Sequence, residues 1–154
     1  MDYTVVKWLH ILSSTLLFGT GIGSAYYLLR ATMTRDPAVA AAVARMVVSA
    51  DWLFTAVTVV AQPLTGLWLA HLAGFPRNSG WLQWTYALYA LAIGCWLVVL
   101  RIQIAMRNEA QAAVRLRSNL SARYWRLFRL WFALGIPAFV AFLIIFYLMA
   151  AKPS

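Results

Sequence analysis

The fold is decided by residues 5–29, which read VVKWLHILSSTLLFGTGIGSAYYLL. At about 1.5 Å per helical residue, this run is long enough to cross the hydrocarbon core of a bilayer. Most of its residues are apolar, but Lys7 and His10 lie near its start. Ionisable groups are costly inside a membrane, so a histidine about two turns into a span calls for a polar partner or a function.

The composition of the whole chain indicates a membrane protein. Of its 154 residues, 64% are hydrophobic and only 11% are charged, whereas soluble domains are about one quarter charged. The formal net charge of +9 does not imply nucleic acid, because the arginines cluster beside apolar runs. There they set topology and attract anionic lipid headgroups. We therefore interpret residues 1–154 as a single integral membrane domain.

Three further apolar runs bring the number of predicted spans to four, at about residues 5–29, 52–73, 81–100 and 124–151. Asp36-Pro37 is a typical helix start, with aspartate as the N-cap and proline in the first helical position. The helix that begins there is longer than a bilayer needs, so part of it should enter water. We predict an all-α fold, a four-helix transmembrane bundle of up-down-up-down topology with helices extended into the cytoplasm.

The distribution of arginine predicts the orientation of the bundle. Three arginines lie between spans one and two, and seven lie in or beside the connection between spans three and four. Positive residues favour the cytoplasmic side, so we expect a multi-pass protein of the bacterial inner membrane with both termini in the periplasm. Arg123, Arg126 and Arg129 share one helix face, which we expect to bind anionic lipids; the alternative is that it binds the carboxylates of a ligand.

The chain has two histidines, His10 and His71, which the topology places at similar depths near the outer ends of spans one and two. One imidazole from each of two antiparallel helices is a typical way to hold haem b. In this hypothesis both histidines bind the iron, the glycines of span one leave room for the macrocycle, and Lys7 or Arg77 pairs with the haem propionates.

The polar residues of span two argue against His71 as a ligand. One face of an ideal helix carries five of them, Asp51, Thr55, Thr58, Gln62 and Thr65, and His71 points ~160–180° away from that face. Lys7 or a water molecule is then the alternative second ligand. A further alternative is that both histidines are interfacial residues that only form hydrogen bonds. Gln62 either contacts a substrate or cross-links two helices. All four acidic residues lie outside the predicted spans or at their ends, so no carboxylate proton relay is expected.

Two resemblances add to this interpretation. The stretches VVAQPLTGLWLAHLAG, IGCWLVVLRIQIAMRNEA and RLWFALGIPAFVAFLIIFYLMAAKP resemble an uncharacterised bacterial family of predicted four-span integral membrane proteins. The opening KWLHILSSTLLFGTGIGSAYYLLRA resembles the first helix of HemJ/CopD-like membrane proteins, in which Lys-x-x-His precedes a glycine-containing span. HemJ proteins are haem b-binding protoporphyrinogen oxidases, so that resemblance implies His10 as the haem-linked residue with Lys7 beside it. The arginine that follows in HemJ has no counterpart at matching spacing, because Arg30 comes later.

The sequence therefore predicts a haem b-binding membrane protein that transfers electrons between quinone and a partner. One alternative is a non-enzymatic accessory or assembly subunit of a larger membrane complex, whose aromatic and glycine-rich faces pack against other chains. A further alternative, implied by the resemblance, is a HemJ-like protoporphyrinogen oxidase.

Overall fold

Helices account for all the regular secondary structure in the computed structural model, which describes residues 2–76 and 78–152. They are α1 (Tyr3–Met33), α2 (Pro37–Ala50), a π-helical turn (Asp51–Thr55), α3 (Ala56–Leu72), α4 (Gly80–Arg115) and α5 (Ala122–Ala151). Since α2, the π-helical turn and α3 continue one another, these described residues form four helices that are long and apolar enough to cross a membrane. The predicted all-α, four-span fold is confirmed.

Short connections make consecutive helices antiparallel. At the end of the bundle that holds residues 73–76, 78 and 79, here called the hairpin end, the Phe75 ring packs against Trp81 at 5.3 Å and lies 4.9 Å from Lys152 Nζ. At the opposite end, which holds residues 34–36 and 116–121 and is called the connector end, α1 meets the start of α5. The chain thus runs up-down-up-down, with residues 3 and 152 both at the hairpin end.

Two helix starts at the connector end are capped by side chains. Asp36 Oδ1 accepts a hydrogen bond from the Ala38 N–H at 2.7 Å, so α2 begins where the Asp36-Pro37 pair predicts. Ser121 Oγ accepts from the Tyr124 N–H at 3.0 Å at the start of α5. Each cap satisfies a backbone donor that has no partner within the helix, and the caps keep the two connections short.

The most tightly packed part of the molecule lies at the connector end. Its buried cluster is formed by Leu28, Ala40, Ala44, Val47, Met106, Ala110, Leu120, Tyr124 and Trp131. Alanines on α2 and α4 let these two helices approach closely. With 36 residues, α4 is about 54 Å long, well beyond the ~30 Å of a hydrocarbon core. The helices therefore continue past the membrane and pack into a small core there.

Within the spans the helices form two pairs. α3 packs mainly on α1, and α5 packs along α4. Long side chains bridge the pairs: the Phe18 ring stacks on Phe139 at 5.8 Å, and the Tyr89 hydroxyl donates to the Val59 carbonyl at 2.7 Å. Because side chains rather than closely packed backbones join the pairs, room for cavities remains between them.

The hydrogen bond between Thr32 and Tyr124 gives a test of the connector-end packing. Their hydroxyl oxygens lie 2.8 Å apart and both residues are 0% exposed. Tyr124→Phe would leave the Thr32 hydroxyl buried without its partner, so we expect the free energy of unfolding to fall by about 1–2 kcal/mol. Unfolding by SDS in mixed micelles measures this change. Tyr147→Phe, at a position that is 67% exposed, is the matched control and should change stability little; equal effects of the two variants would contradict the assignment.

Candidate functional site

A cavity of about 490 Å³ lies among α1, α3, α4 and α5 at the hairpin end. Its walls are mostly apolar and aromatic. The polar side chains in its lining are Tyr3, Lys7, His10 and Ser14 of α1, Gln62 of α3, Thr85, Tyr86 and Tyr89 of α4, and Lys152 directly after α5. An apolar cavity with a few convergent polar groups is the usual form of a site for a small organic ligand.

His10 is held in this cavity by one defined hydrogen bond. Its Nδ1 lies 2.7 Å from Thr65 Oγ1, and the same hydroxyl lies 2.7 Å from the Ala61 carbonyl oxygen. A carbonyl oxygen cannot donate, so the close contact with Ala61 favours a Thr65 hydroxyl that donates to Ala61 and accepts from His10. This arrangement favours the His10 tautomer with its proton on Nδ1, in which Nε2 keeps its lone pair. Within residues 2–76 and 78–152, no hydrogen bond reaches Nε2.

One face of α3 forms the seat of His10. Gln62 Nε2 donates to the His10 carbonyl at 3.0 Å, which ties α3 to α1. A Cβ at Gly66 would lie 3.2 Å from His10 Cε1, so any side chain here would require the ring to move by a few tenths of an ångström. Gly66 lines this cavity, whereas Gly19, Gly21 and Gly23 of span one, where room for the macrocycle is expected, do not.

The structure brings together only some of the residues that the sequence nominates. Lys7 lines the same cavity as His10, with its Nζ 6.0 Å from the Tyr3 ring centroid. His71 is exposed and does not line this cavity. Arg77 lies outside the described residues. Gln62 cross-links two helices, which is one of the two roles expected for it.

The arginine face on α5 is divided between two roles. Arg123 NH1 lies 3.2 Å from Glu109 Oε1, so this side chain ties the start of α5 to α4. Arg126 and Arg129 are exposed. These two remain the candidates for contacts with anionic headgroups.

A second polar constellation surrounds Asp51, which sequence reasoning placed at the end of a span. The residue instead begins the π-helical turn inside the continuous second helix and is only 4% exposed. Thr55 Oγ1 donates to Asp51 Oδ1 at 2.9 Å. π-Helical turns are rare and frequently mark functional sites. The polar face that begins at Asp51 indicates from the sequence that this residue could be buried. The sequence does not predict the π-helical turn that contains it.

Gln103 and Trp131 complete the surroundings of Asp51. The indole N–H of Trp131 can only donate, so the Gln103 amide satisfies its neighbours when Oε1 faces Trp131 at 3.3 Å and Nε2 donates to Asp51 Oδ2 at 2.6 Å. These residues line a second cavity of about 440 Å³, displaced toward the connector end. Leu17 and Phe142 line both cavities.

Neither constellation supplies a full set of ligands for a bare metal ion. In the part of the chain that the structure describes, no three His, Cys, Asp or Glu side chains lie close enough together to hold one. A metal at His10 would therefore need most of its ligands from a bound organic group or from solvent.

Comparison with known proteins gives one match. The family model described as "Predicted integral membrane protein (DUF2269)" matches residues 4–153. No curated protein and no solved structure matches the chain. The predicted likeness to an uncharacterised family of membrane proteins is confirmed by this match, whereas the resemblance to HemJ/CopD-like proteins stays a prediction.

The tautomer of His10 gives a direct test of the site. In nitrogen-15 NMR spectra of histidine-labelled protein at pH 8, we expect His10 as the neutral Nδ1–H tautomer. Thr65→Val removes the acceptor, a hydrogen bond worth about 1 kcal/mol, so the tautomer ratio should change about fivefold towards Nε2–H. Thr15→Val is the matched control, because the Thr15 hydroxyl bonds only to the Ile11 carbonyl. An Nε2–H signal for His10 in the unaltered protein would show that the hydrogen bond runs the other way.

Proposed function

We propose that this chain, which belongs to the DUF2269 family of predicted integral membrane proteins, is a haem b-binding protein that transfers electrons between a quinone and a partner. In this proposal His10 binds the iron through Nε2, and the cavity at the hairpin end holds the macrocycle. The observation that carries the proposal is the arrangement of His10, whose Nδ1 is engaged by Thr65 while Nε2 is left without a partner among the described residues. Histidine ligands of metals are generally oriented in this way by a hydrogen bond to the other ring nitrogen.

The donor set of the cavity fits haem better than a bare metal ion. A porphyrin brings four nitrogen ligands, so one imidazole from the protein is enough to anchor it. The cavity walls include the aromatic rings of Trp81, Tyr89, Phe142 and Phe146. Rings of this kind can pack on the faces and edges of a flat macrocycle. When bound, haem supplies one-electron redox chemistry. The apolar walls would exclude water from it, and burial of this kind is one of the factors that set the reduction potential of a haem.

The charges at the mouth of the cavity fit the propionates. Lys7 and Lys152 both line the cavity, one from the start of α1 and the other from the end of α5. Two ammonium groups there favour an anionic edge of the ligand and leave its apolar body inside the bundle. Arg77, the other predicted partner of the propionates, lies outside the described residues.

Two further residues of the cavity lining could hold the haem iron together with His10: Lys7 would offer an amine and Met149 a thioether. Both kinds of group are known to bind haem iron alongside histidine or can do so through a free lone pair. His71 is not carried forward as a ligand, because its side chain is exposed and lies outside the cavity lining.

We further propose that the hairpin end faces the periplasm of a bacterial inner membrane. The support is the concentration of arginine at the connector end. Positive residues in short loops favour the cytoplasmic side of a membrane, so the connector end should face the cytoplasm. The exposed Arg126 and Arg129 would then lie at the level of the inner headgroups and bind anionic lipids. A quinone, which is soluble in the hydrocarbon, would reach the bundle from the side.

A reduced-minus-oxidised absorbance spectrum of protein purified after expression with ample haem tests the proposal. We expect the Soret and alpha bands of a b-type haem, and we expect His10→Ala to abolish them because the anchoring imidazole is lost. His71→Ala is the matched control and should leave the bands unchanged.

Two results would overturn this assignment. A colourless protein at good yield would exclude the cytochrome and favour the accessory-subunit alternative. Bands that survive His10→Ala would show that any bound haem uses other ligands.

The seat of His10 gives a second test. Gly66→Ala places a methyl group 3.2 Å from His10 Cε1, so the ring must shift and the Thr65 bond must distort. Changes next to a metal ligand typically cost 10–100-fold in affinity, and we expect haem affinity to fall by about tenfold. Gly94→Ala, where a Cβ meets no atom within 4 Å, is the control. Haem titration of the apoprotein measures both, and equal affinities would place the haem elsewhere.

A further inference from the structure

We propose that the second cavity binds a lipophilic organic cation, with the Asp51 carboxylate as its counter-charge and the surrounding aromatic rings as its walls. This site is separate from the one assigned to haem and does not depend on it. It lies toward the connector end and contains neither His10 nor a lysine.

Hydrogen bonds to both oxygens of Asp51 offset part of the cost of burying a carboxylate there. Thr55 Oγ1 donates to one of its oxygens at 2.9 Å, and Gln103 Nε2 donates to the other at 2.6 Å. Trp131 fixes the direction of the Gln103 bond, because its indole N–H requires the amide oxygen. Both oxygens therefore act as acceptors, and neither faces a group that must accept a proton from the carboxyl.

A further donor lies beside this carboxylate. The buried Trp96 indole N–H makes no hydrogen bond of good geometry, although it lies close enough to Asp51 to stabilise its negative charge. It also lines the same cavity. Donors on the second helix and on α4 thus surround the carboxylate, and the cavity lies in front of them.

No positive side chain of the described residues neutralises this anion. The lining of the cavity includes no lysine, arginine or histidine. The ion pair found in residues 2–76 and 78–152 joins Arg123 to Glu109 and leaves Asp51 out. An unpaired carboxylate inside a bundle is costly, so a positive charge from outside the chain would stabilise the site.

The walls of the cavity select the kind of cation. Aromatic rings from α1, α4 and α5 surround the space in front of Asp51: Phe18, Trp96, Trp131, Phe132 and Phe139. Aromatic faces attract organic cations, whose large apolar surface also gains from burial. A small metal cation would instead need several oxygen ligands, and one carboxylate supplies at most two of them.

The way into the cavity sets a second requirement. Its lining includes Ile22, Tyr26 and Ile136, which are exposed on α1 and α5 within the spans. The cavity is therefore open sideways, between two helices that face the hydrocarbon. A ligand that enters there must partition into the membrane, so we infer a cationic amphiphile with an aromatic or branched apolar body.

Saturable binding of tetraphenylphosphonium and benzyltrimethylammonium to the full chain in zwitterionic nanodiscs tests the proposal, with empty nanodiscs as the blank. We expect the uncharged triphenylphosphine to bind no more than it does to empty nanodiscs. Asp51→Asn keeps the size and the Thr55 contact but removes the charge, so affinity for the cations should fall by at least about tenfold. Asp2→Asn makes the same change on an exposed residue and should have no effect.

Two further variants keep the test decisive if Asp51→Asn misfolds. Trp96→Leu removes one wall and should weaken cation binding several-fold, whereas Trp84→Leu, at an exposed position outside the cavity, should not. His10→Ala should bind the cations normally, which separates this site from the haem proposal. The inference is overturned if neither cation binds saturably to the unaltered protein, if the neutral analogue binds equally, or if Asp51→Asn and Trp96→Leu both bind as the unaltered protein does.

Discussion

A polar group inside a membrane bundle is costly unless it finds a partner within the protein, and this constraint organises the second helix. One face of the second helix carries the polar residues Asp51, Thr55, Thr58, Gln62 and Thr65. Their side chains find partners within their own helix or on a neighbouring one. Thr58 returns its hydroxyl to the Phe54 carbonyl, Gln62 reaches the backbone of α1, and Asp51 reaches Gln103 on α4. The two candidate sites lie at the two ends of this face.

The connector-end cluster and the spans are packed to different degrees. The buried cluster of small and aromatic residues lies at the connector end, where the helices extend past the length of a bilayer. Within the spans, the two helix pairs are held apart by long side chains, and cavities of about 490 and 440 Å³ lie between them. Cavities reduce dispersion contacts and cost stability. A tightly packed end lets the rest of the bundle keep open space for ligands.

The sequence was sufficient for the features that depend on run length and local chemistry. Long apolar runs predicted the four helices, and Asp36-Pro37 predicted the start of α2, which the cap on Ala38 confirms. The features that the sequence did not predict depend on the direction in which a side chain points around the helix axis. Depth along a helix can be counted from its end, and this made His10 and His71 look like a pair. The azimuth of an ideal helix already argued against His71, which is exposed. The direction of a side chain also depends on neighbouring helices and on local changes of helical geometry, so the role of Gly66 and the burial of Asp51 required the structure. The single-domain interpretation remains a prediction.

The π-helical turn at Asp51–Thr55 has a consequence for the phase of the second helix. A wider turn holds one residue more than an α-turn, and one residue corresponds to about 100° of rotation in an α-helix. Before the turn in the chain, α2 packs chiefly on α4. After the turn, α3 packs chiefly on α1. A regular α-helix would direct its buried face to the same side along its whole length. The extra residue in the π-helical turn rotates the buried face, so one continuous helix can pack on α4 before the turn and on α1 after it.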